Sequence, residues 1–196
     1  MTTEHSVLKQ AASPHQNRSD LPEPARVVEA LLQLEKAARK EPTTLTYSDL
    51  IGSWNLRFIT GTKKTRQRAG VVLGAGKYIP RFVKIQIAYE GDRQSNEDRG
   101  RVKNSVTLAF IELSLSGPTK MLPHKSILAF DFTAIEIVAF GFKLYDGYVK
   151  NGAEREAKFY HQTIKEQAFF NYFCVSEDFI AARGKGGGLA LWGREY

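Results

Sequence analysis

Cysteine is nearly absent from this chain of 196 residues, which contains one, Cys174. A single cysteine can form neither an internal disulfide nor a cysteine-rich metal site, and its hydrophobic surroundings in 169–175 favour a buried, inert thiol. Histidine is also scarce, at four residues. No His-x-x-x-His or Gly-x-Ser-x-Gly spacing occurs, so metal chemistry and acyl transfer have no motif to start from. We therefore predict a protein without a cofactor and without enzymatic activity.

Long hydrophobic runs are missing as well. No stretch approaches the roughly 18 apolar residues of a membrane-spanning helix, and the run 134–142 is short and contains Glu136. The first 20 residues lack the apolar segment of a secretory signal. They are polar, so the sequence predicts a disordered arm over 1–20, followed by one domain over 21–196.

Positive charge is in moderate excess, with 28 Lys and Arg against 21 Asp and Glu, a net charge of +7. This excess favours acidic partners such as anionic lipid, nucleic acid or an acidic protein. Its densest part is Lys63, Lys64, Arg66 and Arg68, which we interpret as a contact with anionic membrane headgroups or as a solvated hairpin loop. No aromatic residues alternate with these cations to stack on bases, so we expect no nucleic-acid partner.

A strand is predicted over Gly52 to Thr60, where Trp54, Leu56 and Phe58 alternate with polar side chains. The placement of Trp54 two residues after a glycine predicts a plug at the closed end of a β-barrel. Before this strand, apolar residues spaced by three and four predict an amphipathic helix from Ala25 to Arg39. The helix either packs on the barrel or contacts a partner protein or membrane.

Further strands follow in series, separated by turn residues. They are predicted at 82–89, 101–115, 126–132, 135–142, 156–161, 168–175, 179–183 and 189–194, with turns at 117–118, 146–147, 151–152 and 184–188. About eight or nine strands joined in this way predict a mainly β, antiparallel up-and-down barrel with an N-terminal helix, because closure removes exposed sheet edges. Apolar strand faces are compatible with a packed core or with a ligand cavity.

Both ends of the predicted domain resemble the plastid lipid-associated protein family, also called fibrillins. The segment 50–60, Leu-Ile-Gly-Ser-Trp-Asn-Leu-Arg-Phe-Ile-Thr, is similar to that family's opening pattern Leu-x-Gly-x-Trp-x-Leu-x-Tyr-Thr, with Phe58 where the family often has tyrosine. The segment 178–192, Asp-Phe-Ile-Ala-Ala-Arg-Gly-Lys-Gly-Gly-Gly-Leu-Ala-Leu-Trp, looks like the family's closing strands. The middle of the chain matches only as a run of strands.

The resemblance implies a lipocalin-like barrel that binds a lipid or isoprenoid, such as a prenylquinone or carotenoid, near photosynthetic membranes. The ligand would then contact the inward strand faces, for which we select Val83, Ile85, Val106, Leu108, Phe130 and Phe140. In such barrels an arginine commonly covers the first-strand tryptophan, and we predict Arg183 over Trp54, with Arg194 as the substitute. The lack of a transit peptide suits a cyanobacterial member, cytoplasmic or thylakoid-associated; a eukaryotic one would be plastidic.

Two other functions remain open. A bilin-chromophore lyase also uses a lipocalin-like barrel, although it would need polar or acidic residues inside. An adaptor with a filled barrel would instead use the helix 25–39 and the basic run to dock an enzyme or a lipid droplet.

Overall fold

The fold is mainly β: eight antiparallel strands close into an up-and-down barrel and three further strands extend it. The computed structural model describes residues 2–14, 18–42, 44–61, 76–91 and 98–195. The strands are β1 Gly52–Thr60, β2 Gly76–Tyr78, β3 Val83–Gly91, β4 Arg99–Leu108, β5 Ile111–Leu122, β6 Ile127–Phe130, β7 Ala134–Ala139, β8 Phe142–Tyr148, β9 Ala168–Val175, β10 Phe179–Gly184 and β11 Leu189–Arg194. The helices are α1 Thr3–Ala12, α2 Pro24–Lys40 and α3 Gly152–Lys158. The predicted fold class is therefore confirmed.

The barrel wall follows the order of the chain. β1, β3, β4, β5, β6, β9, β10 and β11 each pair with the next strand, and β11 pairs with β1 to close the ring. β2 adds to the edge of β1 where β3 has left it. Every barrel strand therefore has a partner on both sides.

The sheet forks at β6 and β7. These two strands run along β5 as one bent strand, with Phe130 opposite Thr119 and Ala134 opposite Ser116. The bend is fixed by hydrogen bonds from the amides of Asp131 and Thr133 to carbonyls of β5. Beyond β6 the sheet continues to β9 and closes the barrel, whereas beyond β7 it continues to β8.

Side chains fill the barrel at the end where β1 begins. Trp54 is fully buried there, and Tyr89 and Tyr172 share a buried hydrogen bond of 2.6 Å. The Tyr47 hydroxyl lies 3.1 Å from two backbone carbonyl oxygens, of Glu90 and Arg101, which share its one proton, and it accepts from Thr119. The buried residues of this core are Tyr47, Leu50, Trp54, Ile87, Tyr89, Val102, Met121, Leu128, Phe130, Tyr172, Ile180, Ala182 and Trp192.

A second core lies outside the barrel, under the two N-terminal helices. Phe58, Phe179 and Leu191 point outward and share one apolar cluster with residues of both helices. In α1 the buried residues Leu8, Ala11 and Ala12 are spaced by three and four, so one helical stripe faces the barrel. The prediction of a disordered arm over 1–20 was wrong for this segment, because α1 needs only a short apolar stripe once α2 and the barrel supply the opposite surface.

Helix α2 extends over Pro24–Lys40, which confirms the predicted helix 25–39. Its Glu35 accepts two hydrogen bonds from Arg183 of β10, at 2.7 and 2.5 Å, and one from Arg39 at 2.9 Å. Arg183 also donates to the carbonyl of Gly187. The helix is thus fixed to the barrel by a two-pronged ion pair as well as by apolar packing.

Three further stretches differ from the sequence prediction. Residues 156–161, predicted as a strand, form the end of α3 and a following 3-10 turn. The predicted turns at 117–118 and 146–147 lie inside β5 and β8. Gly117 is required by close packing and not by a turn, since a Cβ there would stand 2.1 Å from the carbonyl oxygen of Asp131.

The ion pair makes stability depend on pH. Hydrogen bonds from Arg183 hold the pKa of Glu35 below its ordinary value of 4.5, although burial opposes this. A depressed pKa stabilises the folded state above the unfolded pKa, and this contribution disappears as the pH falls through the folded pKa. We expect Glu35→Gln to destabilise the protein at neutral pH and to flatten the loss of stability below pH ~4.5. Urea unfolding in steps from pH ~7 to ~2 measures this; parallel curves for both proteins would contradict it.

Candidate functional site

The six predicted ligand contacts separate into three groups. Phe130 belongs to the filled core and stacks on Phe170 at 4.9 Å. Val83, Ile85 and Val106 lie on the inward sheet face and are half-buried. Phe140 is 72% exposed in a hairpin turn, so its selection as an interior residue was wrong. Leu108 shares the inward face of β4 with Val106, but it is 52% exposed at the end of the strand.

Phe140 occupies a hairpin turn. The chain reverses at Phe140 and Gly141, both with positive φ, and the Phe140 ring stacks at 5.5 Å on Phe110 of the neighbouring turn. The inward face of the wall beyond the filled core is formed instead by residues such as Leu113, opposite Val106, and Ile137, opposite Leu113.

Trp54 is fully buried at the filled end of the barrel, and the arginine that covers it is the substitute, Arg194, and not Arg183. The guanidinium of Arg194 lies 4.0 Å from the centre of the Trp54 ring, and its Nε donates to the carbonyl of Glu177. The predicted partner, Arg183, is bound to Glu35 outside the barrel. Trp54 pairs with Arg194 in the β1–β11 register, which places the two side chains on the same face.

The barrel wall separates between β1 and β3. The two strands pair only from Gly52–Tyr89 to Asn55–Gln86. Beyond this point the connection from β2 to β3 turns, with the Ile79 amide donating to the carbonyl of Arg57. The inward side chains Leu56, Val83 and Ile85 meet at this separation.

A cavity of about 570 Å³ opens there. Its apolar lining includes Leu56, Ile79, Val83 and Ile85, and its charged lining includes Arg57, Arg81, Lys84, Arg194 and Glu195. This volume lies within the usual range of small-molecule sites. Trp192 is opposite Leu56 in the β1–β11 register and so lies beside the apolar part.

A β-bulge positions Arg57 in this cavity. The β1–β11 register shifts between Leu56 and Phe58, which makes Arg57 the extra residue and turns Phe58 outward onto the helices. The Arg57 side chain passes over Gly193, where an added Cβ would stand 3.5 Å from Nε of Arg57 and 2.2 Å from the carbonyl oxygen of Ala12. The end of α1 and the Arg57 side chain therefore occupy the space that a side chain at position 193 would need.

Two buried polar atoms in the cavity wall have no hydrogen-bond partner among the described residues: Nε of Arg57 and Oδ1 of Asn55. Burial lowers the pKa of Arg57, the neighbouring Arg81 contributes in the same direction, and Glu195 opposes both. Lys84 holds Glu195 at 2.5 Å. A buried guanidinium donor without an acceptor is costly, so this wall favours an incoming acceptor.

The sequence prediction missed this polar wall. The alternation in β1 does place Asn55 and Arg57 opposite Trp54, but neither the bulge nor the separation of the strands has a local sequence signal. Arg81 lies in the turn before β3 and Lys84 lies in β3, so they line one cavity with Arg57 only after folding. The predicted headgroup contacts Lys63, Lys64, Arg66 and Arg68 lie outside the described residues.

Two negative findings apply to the described part of the chain. No helix in it has the length and apolar character needed to cross a bilayer. No group of three or more His, Cys, Asp or Glu side chains in the same ranges could hold a metal ion.

Fold and cavity define the class: an up-and-down β-barrel, filled at one end, with a partly charged cavity at a separation in its wall. No family model matches the chain, and no curated protein sequence matches it. The resemblance to plastid lipid-associated proteins stays a prediction.

Proposed function

We propose that this protein binds a lipid or isoprenoid, without enzymatic conversion, in the cavity where β1 and β3 separate. The observation that carries the proposal is the cavity beside Leu56, Val83 and Ile85, where inward apolar side chains are only partly covered. Apolar surface in a concave site of this size is stabilised by an apolar ligand, because binding removes that surface from water.

A location at or near a photosynthetic membrane is part of the same proposal. It depends on the resemblance and on the net charge of +7, which favours anionic surfaces.

Titration tests the ligand class. A long-chain prenylquinone, biliverdin and a galactolipid are added in parallel while tryptophan fluorescence is recorded. We expect saturable quenching by the quinone near one equivalent, since Trp192 lies beside the cavity. Saturation by biliverdin alone would favour the alternative function of a bilin-chromophore lyase.

Replacing Ile85 with aspartate is expected to weaken quinone binding by at least about tenfold, because the ligand would bury a carboxylate against its chain. Ala153→Asp is the matched control: it adds the same charge at an exposed position of α3, which contributes no residue to the cavity lining. The expected result is normal quinone affinity for the control. Equal affinities for both variants and the unmodified protein would place the ligand elsewhere.

A filled-barrel adaptor is the second candidate, and the packing of the closed end favours it. Phe130, Phe170, Tyr172 and Trp192 contact one another there and leave the interior occupied by protein. No saturable response to any of the three ligands would make the adaptor the better proposal.

A further inference from the structure

The polar wall of the cavity carries information about the ligand's head group. Nε of Arg57 and Oδ1 of Asn55 both belong to residues that line the cavity, and both are buried without a partner in the described ranges. An unpaired donor and an unpaired acceptor in the same cavity wall match a ligand that offers an oxygen acceptor together with a hydroxyl or a water.

The charge of the wall selects the sign of that head group. Arg57, Arg81, Lys84 and Arg194 line the cavity together with one carboxylate, Glu195, which Lys84 already holds. Arg194 is engaged by the Trp54 ring. Glu195 attracts the Arg57 guanidinium and Arg81 repels it. Four cationic side chains against one carboxylate in the lining favour an anionic head group.

A β-bulge in β1 gives the Arg57 side chain its position in the cavity wall. The bulge at Arg57 interrupts the β1–β11 pairing, and the glycine at 193 leaves room for its guanidinium beside the end of α1. Bulges of this kind redirect a single side chain, here toward the cavity, while its neighbour Leu56 keeps its place on the apolar side.

We infer that the cavity binds an amphiphile whose head group is an oxyanion, a carboxylate or a phosphate, and whose apolar chain lies along Leu56, Val83 and Ile85. The Arg57 guanidinium would donate to the head group, and Arg81 would contribute from the rim. This inference rests on the proposed function, since both use one cavity, and it adds the charge of the ligand, which a neutral quinone or carotenoid lacks.

Calorimetric titration of the full chain tests the head group. The probes are three amphiphiles, oleate, oleoyl lysophosphatidate and oleyl alcohol, kept below the concentrations at which they aggregate, and inorganic phosphate. The prenylquinone is the neutral reference. We expect the two anionic amphiphiles to bind near one equivalent and at least about tenfold more tightly than oleyl alcohol. The stronger of the two anions identifies carboxylate or phosphate as the natural head group.

Arg57→Gln is expected to weaken both anionic amphiphiles by about tenfold or more and to leave oleyl alcohol unchanged. Arg26→Gln, on the exposed side of α2, removes the same charge away from the cavity and should alter none of the affinities. If Arg57→Gln does not fold, the exposed rim variant Arg81→Gln replaces it, with an expected loss of about threefold for the anions only.

The outcomes separate the two proposals. Equal binding of oleate and oleyl alcohol, or no effect of either arginine variant, overturns the anionic head group and leaves apolar-ligand binding intact. Binding of inorganic phosphate as tight as that of lysophosphatidate overturns the amphiphile, because the chain would then contribute nothing. No binding of any probe, the quinone included, overturns both.

Discussion

Replacing Trp54 with alanine is expected to lower the free energy of unfolding by about 3–5 kcal/mol. The ring is fully buried, its Nε1 donates to the carbonyl of Leu50 at 2.8 Å, and the guanidinium of Arg194 covers its face at 4.0 Å. Truncation leaves a cavity at the closed end of the barrel and an arginine without its aromatic partner. Urea unfolding followed by circular dichroism measures the loss, since the remaining tryptophan reports a different site.

Trp54→Phe is the matched control. It keeps an aromatic ring under Arg194 and removes the indole N–H bond to Leu50. We expect it to cost about 1–2 kcal/mol, near the value of one buried hydrogen bond plus a small packing change. An alanine variant with an unchanged unfolding midpoint would contradict the role of Trp54 as a plug.

Replacing Arg183 with alanine is expected to cost about 2–3 kcal/mol, between the small loss for an exposed ion pair and the larger loss when a fully buried pair is broken. The side chains of Arg183 and Glu35 are 24% and 11% exposed, and Arg183 makes both hydrogen bonds of the pair. Its removal leaves the Glu35 carboxylate half enclosed between α2 and the barrel. Urea unfolding at neutral pH measures the effect.

Arg39→Ala is the control for that loss, because Arg39 bonds the same carboxylate from a side chain that is 73% exposed. Its expected cost is about 0.3–0.5 kcal/mol, the usual value for an exposed pair four residues apart on a helix. The Arg183→Ala/Glu35→Ala double variant should lose less stability than the sum of the two single losses, because it removes both charges of the pair and each single variant leaves one of them unpaired. Equal costs for the two arginines would show that the bidentate pair adds nothing.

The periodic parts of the sequence predicted the fold correctly. Alternation in β1 placed Trp54 and Leu56 inside, and spacings of three and four identified α2 within a residue of its ends. The long alternating stretch 101–115 misled, since the chain reverses at Ala109 and Phe110 without glycine, proline or asparagine. Leu108 and Ile111 therefore share the inward face although their numbers differ in parity.

The covering arginine could not be chosen from the sequence because the choice depends on pairing register. Arg183 pairs with Leu189 at one end of β10 and β11, whereas Arg194 stands opposite Trp54 at the other end. Both arginines follow an apolar strand, and only the alignment of β11 with β1 separates them. The candidate site could not be predicted for the same reason: Arg57 and Lys84 come from two strands that do not pair at these residues.

The fork at β6 and β7 has a consequence for the kind of selectivity available to the barrel. Below the fork β9 continues the wall around a filled interior, and above it β8 carries the wall away from the ring. Leu113, on the inward face above the fork, is 37% exposed, so a ligand chain that extended from Val83 to this side chain would meet solvent and not a floor. Such a site would not measure length. Within a homologous series of ligands, recognition would be decided by the anchored end, while additional methylene groups would remain in the surrounding medium.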